Sequence, residues 1–311
     1  MTVGELRTLY VHNHVVNLKD RQGTTNRLQR YVGPFDALQL GELTKMQVVS
    51  WHQEIGRTRG GTAANQALQQ LRAMYARAQD WELYDGKNPA DRVKKFPKRS
   101  RERFIQSNEL PWLLKSLSEE HPRTETFFLC LLLTGARRDE ARTMQWKDLE
   151  LEQGLWHKPT TKNGHPHTIP LPAQLVTKLR DLPRVCEWVF PASPNPRNGF
   201  RAGKWSATAV EVMWGKIRRR VGLRDVRIHD LRRTAASWLA INGSNLQVIQ
   251  SMLNHTSLGS TQVYARLSVE PVRLALDNQA ERMLGPGPAP TSSPVALAGP
   301  VITAPEMEWP G

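Results

Sequence analysis

Apolar residues recur at three- and four-residue spacing through much of this 311-residue chain, and that spacing is typical of amphipathic helices. The clearest example runs from Thr62 to Trp81, and a second helix is predicted over Thr44–Glu54. Later segments show the same pattern between Gly, Pro, Ser and Asn residues, which often end helices. These further predicted helices are Asn108–Leu117, Glu125–Leu133, Ala173–Asp181, Ala207–Val221, Leu231–Asn242 and Leu246–Leu253.

One stretch, from Trp146 to Pro172, follows a different pattern. Apolar and polar residues alternate there on both sides of Asn163-Gly164, and alternation is typical of a half-buried strand. The Asn-Gly dipeptide favours a tight hairpin turn, because both central residues of that turn need a positive φ. The pattern predicts a β-hairpin, so the expected fold class is mainly α with a small antiparallel β-sheet.

The helical pattern stops at "DGKNPADRV", residues 85–93, because Gly86 and Pro89 interrupt it. We therefore expect a helical N-terminal domain over residues 1–93. A basic linker over 94–104 joins it to a second, mixed domain over 105–268.

Two segments follow the second domain. Val269, Val272, Leu276 and Met283 predict the apolar face of a C-terminal helix over 269–283. From 284 to 311, seven of 28 residues are proline and no periodicity remains, which predicts a disordered tail.

The charge of the chain narrows the class of partner. Lys and Arg number 43 against 29 Asp and Glu, a net charge of +14, which indicates a polyanionic partner. Nucleic acid is the leading candidate, and a ribosomal or membrane-surface role is the alternative. The longest apolar run, Phe127–Leu133, falls far short of the roughly 20 residues of a membrane span.

The N-terminus and the cysteines exclude other classes. No export signal precedes the first predicted helix, so we expect a cytoplasmic protein. The two cysteines, Cys130 and Cys186, lie in apolar stretches, which is typical of buried free thiols rather than of disulfides or a zinc site.

The segment Arg92–Phe104 is the most basic part of the chain, with seven Lys and Arg residues and a single acid, Glu102. Such a run repels itself unless an anion lies against it. A solvated linker is one interpretation, and contact with a DNA backbone is the one we favour. The candidate contacts are Lys94, Lys95, Lys98, Arg99 and Arg101.

Two arginines are predicted at helix starts, where free N–H groups favour an anion. His229 and Arg232 are three residues apart, so they share one face of their helix. Arg137 lies in the turn that follows Gly135 and precedes the next helix. His255 follows Asn254 at the end of another helix, and Tyr264 comes nine residues later. Both arginine positions suit a phosphate.

Each of these residues alone has an ordinary structural explanation, but their order is informative. Over residues 108–267 the chain resembles the tyrosine recombinase (phage integrase) family, and residues 2–93 resemble it more loosely. In that family the first Arg lies in a T-G-x-R turn, as Arg137 does in "TGAR", and a Lys lies on a β-hairpin, as Lys162 does in "TTKNG".

The later motifs match as well. "HDLRR" supplies His229 and Arg232, "LNH" replaces the usual L-G-H at His255, and the family's nucleophile corresponds to Tyr264 in "TQVYARL". The change from Gly to Asn254 is mild, because Asn also adopts the left-handed conformation. The resemblance thus implies a catalytic domain over 105–268 behind a SAM-like core-binding domain.

These residue types suit phosphodiester cleavage. A tyrosine hydroxyl has a pKa of about 10 and needs nearby cations or a base to attack. Arg137 and Arg232 can bind the non-bridging oxygens, while Lys162 can protonate the leaving 5′-oxygen. His229 serves as general base or phosphate orienter, and His255 as a hydrogen-bond donor. The expected product is a 3′-phosphotyrosyl link, made without metal, cofactor or ATP.

The resemblance also implies an assembly, in which two-domain protomers clamp duplex DNA and four of them exchange strands between two sites. DNA-bending accessory proteins are further candidate partners. With the sequence starting at "TVGEL", we expect no arm-binding domain ahead of the core-binding one.

Two alternatives stay open. One is a type IB topoisomerase with the same nucleophile chemistry, and the other is a catalytically silent DNA-binding protein. Several neighbouring residues receive no catalytic role. Arg138 and Arg233 are expected to be structural or backbone contacts, and His157, His165 and His167 to be solvated or DNA-facing.

Overall fold

The computed structural model describes residues 1–97, 101–159, 166–192, 203–267 and 269–284. The chain divides into two compact units, Met1–Arg101 and Glu102–Gly311. Most of the predicted tail, from residue 285 onward, lies outside the described residues. Within them, no helix is both long enough and apolar enough to span a membrane.

The described residues of the first unit form four α-helices. They are α1 (Val3–Asn13), α2 (Arg21–Val32), α3 (Lys45–Arg59) and α4 (Gly61–Asp80). The predicted apolar stripe of α4 is its buried face, with Leu68, Leu71 and Met74 fully covered. Thr2 and Thr44 form capping boxes that start α1 and α3. Sequence periodicity predicts α3 and α4, whereas α1 and α2 are additional.

Residues near both ends of the predicted linker, 94–104, make hydrogen bonds or ion pairs. In the first unit, the Phe96 backbone N–H donates to Asn65 Oδ1 at 2.9 Å, and Asn65 Nδ2 donates back to the Phe96 carbonyl at 2.8 Å. In the second unit, Arg103 pairs with Glu109 and with Asp225. Residues at both ends of the basic segment are therefore anchored, because each meets a partner on its own unit.

The described residues of the second unit form eight α-helices. They are α5 (Leu110–Ser118), α6 (Pro122–Thr134), α7 (Arg138–Arg142), α8 (Ala173–Arg180), α9 (Ala207–Arg220), α10 (Ile228–Ile241), α11 (Leu246–Leu253) and α12 (Val269–Leu284). The predicted helices agree with these within a few residues. The main difference is that α10 begins three residues before the predicted start, which puts His229 in its first turn.

The predicted β-structure forms a three-stranded antiparallel sheet of β1 (Leu149–Glu150), β2 (Leu155–Lys158) and β3 (His167–Pro170), in that order. Trp156 lies opposite Ile169, and both are buried. The hairpin tip with Asn163-Gly164 lies outside the described residues. The expectation of a mainly α fold with a small antiparallel sheet is confirmed.

The core of the second unit forms around α6. Phe127 and Phe128 are fully buried and contact Phe190 and Trp214 edge-on or tilted. Both cysteines are free thiols, but only Cys130 is buried, and Cys186 is half-buried because its chain segment lies near the surface. Since α6 packs against α10, this core fixes the two helices whose ends carry the candidate site.

Candidate active site

The turn after α6 presents the first arginine. Gly135 ends α6 with φ +63°, in the left-handed region. A Cβ at this position would lie 3.1 Å from Met252 Cε and 3.2 Å from Leu253 Cδ2, so the turn also packs closely on α11. The chain then reaches Arg137, the N-cap residue of α7. Glycine is required here for both its conformation and its size.

A carboxylate holds Arg137. The Arg137 backbone N–H donates to Glu140 Oε2 and its Nη1 donates to Glu140 Oε1, both at 3.0 Å. Lys158 Nζ lies 2.8 Å from the same Oε2. Burial raises the pKa of Glu140, but Lys158 and Arg137 more than offset this effect, so the pKa is lowered and the group is ionised.

The second arginine, Arg232, is only 5% exposed. Its Nη1 donates to the Gly135 carbonyl at 2.5 Å, and its Nη2 donates to the Leu253 carbonyl. Burial, and then the charge of Arg137, lower its pKa to about 10. A guanidinium has five N–H donors, so these two carbonyls leave others for a ligand. Arg232 thus ties the ends of α6 and α11 to α10.

Arg137 and Arg232 line one open cavity of about 960 Å³, together with His229, Glu140 and Lys158. Burial, followed by the charges of Arg232 and Arg233, lowers the pKa of His229. The imidazole is therefore neutral at pH 7 and able to accept a proton. This cavity wall can hold an anion beside a potential base.

His255 lies just beyond α11. Asn254 ends that helix with φ +47°, and the following His255 N–H donates to the Gln250 carbonyl at 3.1 Å. His255 Nδ1 is 3.0 Å from Oγ1 of Thr261, which is fully buried. Burial, then the charges of Arg232 and Arg137, lower the pKa of His255 to about 4. With Nδ1 engaged by Thr261, Nε2 is the ring nitrogen available to a substrate.

Tyr264 lies in a 3₁₀ helix, Gln262–Leu267, and is 7% exposed. Its side chain packs with buried residues of α10 and α11, namely Ala236, Ala240, Ile249 and Leu253. Burial raises the pKa of the hydroxyl, and the charges of Arg232 and Arg233 oppose that rise. The charge of Arg232 acts on the Tyr264 hydroxyl, but Tyr264 does not line the 960 Å³ cavity.

The remaining predicted residues fall into two groups. Lys162, Lys98 and Arg99 lie outside the described residues. Of the other DNA-backbone candidates, Lys94 and Lys95 are exposed and Arg101 is half-buried.

Glu140, Lys158 and Thr261 are site residues that motif reasoning misses. His167, for which the sequence predicts a solvated or DNA-facing position, makes a contact within its own unit. Its ring is half-buried with Nε2 3.0 Å from the Ser251 carbonyl, because β3 lies against the end of α11. Among the described residues, no group of three or more His, Cys, Asp or Glu is arranged to hold a metal.

Residues 103–270, more than half of the chain, match the model of the Phage integrase family. Over 207 residues the chain is 26% identical to tyrosine recombinase XerA of Pyrococcus furiosus, covering 65% of this chain and 72% of that protein. It is 27% identical over 203 residues to the integrase of Salmonella phage P22, covering 62% of this chain. The match covers 50% of the length of that phage integrase.

Solved structures share the fold. The Tn1549 transposon integrase in complex with transposon right end DNA superposes with a TM-score of 0.71 at 18% identity, covering 90% of this chain and 100% of that one. A lambda integrase dimer bound to a COC′ core site gives a TM-score of 0.66 at 15% identity, covering 83% and 96%. With the family model matched over most of the second unit, the chain belongs to the phage integrase family of tyrosine recombinases.

Proposed function

We propose that the protein cleaves and rejoins DNA at a specific site, with Tyr264 forming a 3′-phosphotyrosyl link. The observation that carries this proposal is the meeting of Arg137 and Arg232 in one cavity, with the hydroxyl of Tyr264 in the field of Arg232. Since the two arginines come from separate helices, only the fold brings them together. Family membership supports the same chemistry.

The arginines bind the scissile phosphate. Their planar forks donate to both non-bridging oxygens, and they bind more strongly as negative charge builds in the pentavalent transition state. Glu140 fixes the Arg137 fork, and two backbone carbonyls fix the Arg232 fork. Both donors are therefore oriented before the substrate arrives.

Proton transfer falls to the lysine and the histidines. Neutral His229 accepts the tyrosine proton or orients the phosphate, and Lys162 protonates the leaving 5′-oxygen. When the Thr261 hydroxyl donates to Nδ1 of His255, the proton of that ring resides on Nε2, which then donates to a non-bridging oxygen.

No metal and no ATP enter this scheme. The two arginines and Lys162 supply the charge that a divalent cation would otherwise provide. The phosphotyrosyl link stores the energy of the phosphodiester bond, so a second 5′-hydroxyl can reseal the strand. Tyr264 is 7% exposed, so binding of the duplex has to uncover its hydroxyl.

We also propose duplex DNA as the partner, bound in a four-protomer synapse with DNA-bending accessory proteins, in the cytoplasm. The Tn1549 and lambda proteins are described in complex with DNA, which supports duplex binding. A type IB topoisomerase has the same nucleophile chemistry but only relaxes supercoils. Recombinant joints between two sites therefore separate the two activities.

The test is covalent capture. The full-length protein is incubated with fragments of the DNA that flanks its gene, denatured in SDS, and its attached DNA is sequenced to identify the site. Tyr264→Phe is expected to form no adduct and yet to bind the duplex nearly as well, because one oxygen is lost among many phosphate contacts. An SDS-resistant, protease-sensitive adduct made by Tyr264→Phe would exclude Tyr264 as the nucleophile.

A further inference from the structure

Strand β2 has a charged residue at a buried position. Burial alternates along Leu155–Lys158, so that Trp156 and Lys158 point inward and His157 is exposed. Inward positions of a strand normally hold apolar side chains, and lysine is rarely buried unless it is paired. Lys158 is 6% exposed, with Nζ 2.8 Å from Glu140 Oε2 and 5.3 Å from the centroid of the Trp156 ring.

We propose that Lys158 is a positioning residue for the cleavage reaction, holding Glu140 in the orientation that presents Arg137 to the scissile phosphate. This inference rests on the proposed function. Lys158 acts through Glu140 and does not itself touch the substrate.

The hydrogen bonds of Glu140 explain how this works. Its Oε1 accepts from Arg137 Nη1, while its Oε2 is shared by the Arg137 backbone N–H and Lys158 Nζ. Lys158 thereby holds the carboxylate at Oε2, the oxygen that does not accept from the Arg137 guanidinium. A carboxylate held at both oxygens keeps that guanidinium in one orientation.

Charge gives Lys158 a second effect. Without it, ionised Glu140 would cancel much of the positive potential of Arg137, and such interactions are strong at a partly buried site. Among the described residues, the ionisable groups that act on this pair besides Arg137 are Arg232 of α10, His167 of β3 and Cys130 of α6. Burial lowers the pKa of His167 and raises that of Cys130 to about 12, so both are neutral. The cluster therefore keeps a net positive charge.

The decisive variant is Lys158→Met, which keeps the length of the side chain and removes its charge. On the duplex captured by the wild type, we expect adduct formation to slow on the order of 10²-fold at pH 7, with little change in duplex affinity. Since burial then raises the pKa of Glu140 without opposition from Lys158, the variant should lose further activity as the pH falls. Protonated Glu140 cannot accept from both groups of Arg137.

The second variant, Lys158→Met with Glu140→Gln, removes the titrating carboxylate. The glutamine, like protonated Glu140, has one oxygen that accepts from Arg137 and no acceptor for the second group. The double variant should therefore stay slow, and the added acid-side slope should disappear because no carboxylate titrates. This double variant also decides the question if Lys158→Met fails to fold. The matched control is Lys178→Met, because Lys178 forms a similar pair with Glu125 at 2.7 Å outside the cavity wall.

Three results would overturn the proposal. The first is a wild-type rate and pH profile in Lys158→Met. The second is a double variant with the wild-type rate, or one that still shows the added acid-side slope. The third is rescue of Lys158→Met by a substrate with sulfur at the 5′-bridging position, which would make Lys158 a proton donor. Absence of any adduct with the wild type would instead refute the proposed function.

Discussion

Arg232 shows how single residues serve the fold and the chemistry together. The same guanidinium that lines the cavity also donates to the carbonyls of Gly135 and Leu253. An arginine is needed because its planar fork reaches two carbonyls and a phosphate at once. A lysine at this position keeps the charge but has no fork.

We therefore expect Arg232→Lys to lose both functions. One carbonyl is left without its partner, which costs about 1–3 kcal/mol of unfolding free energy. Adduct formation should fall on the order of 10²–10³-fold. Chemical denaturation and the capture assay measure the two effects. Arg220→Lys is the control, because Arg220 pairs with Glu119 and Glu120 outside the cavity wall. Equal losses in both variants would contradict this account.

The choice of substrate tests the role of Lys162. Lys162→Ala should slow cleavage of ordinary DNA by about 10²–10⁴-fold, the usual range for general acid catalysis. A substrate with sulfur as the 5′-bridging atom should be cleaved at close to the wild-type rate, because a thiolate leaves without a proton. Equal slowing on both substrates would refute the general-acid role.

Sequence motifs identify some residues of the candidate site and miss others, because a motif records only residues that are close in sequence. Arg137, His229, Arg232 and His255 lie at helix ends within short motifs, so local spacing finds them. Lys158 lies at an inward position of its strand, where alternation predicts an apolar side chain. The neighbouring sequence does not indicate that Glu140 is its partner. Pairs of this kind form only when the sheet packs against α7.

At the scale of elements, apolar spacing predicts the amphipathic helices well and their ends less well. Helix α10 starts at Ile228 rather than at Leu231, because the Arg227 backbone N–H donates to Asp230 Oδ2 at 2.8 Å and starts the helix early. Apolar spacing does not predict α2, because only three of its 12 residues are buried. The capping box of Thr2 and Glu5 is the signal that could have found α1.

The turn between α6 and α7 can be tested by a substitution at Gly135. Gly135→Ala combines a left-handed residue, costing about 1–2 kcal/mol, with a Cβ pressed against α11. Gly222→Ala is the matched control, because Gly222 has φ +71° and no heavy atom within 4 Å of an added Cβ. Only Gly135→Ala should also slow cleavage, since Arg137 and Arg232 both depend on this turn. Equal destabilisation with normal cleavage in both variants would show that contact with α11 is unimportant.

At the scale of the molecule, net charge determines the class of partner, and helix α12 bears on how many protomers assemble. A net charge of +14 favours binding along a polyanion but does not specify how many protomers meet there. Helix α12 bears on that number. Leu276 is 58% exposed and Met283 is 73% exposed, and their separation of seven residues places them on one face of the helix. An exposed apolar pair of this kind can dock on a neighbouring protomer.

The last prediction compares two truncations of the full-length protein. Ending the chain after residue 268 removes α12, and we expect single-site binding to persist while the four-protomer synapse is lost and cleavage becomes poor or uncontrolled. Ending it after Leu284 removes only the Pro-rich tail and should change little. Native gels with two captured duplexes measure synapsis, and the yield of recombinant joints measures the reaction. If the shorter protein recombines two sites at the full-length rate, α12 packs only on its own unit, where it contacts α10, and assembly must use another surface.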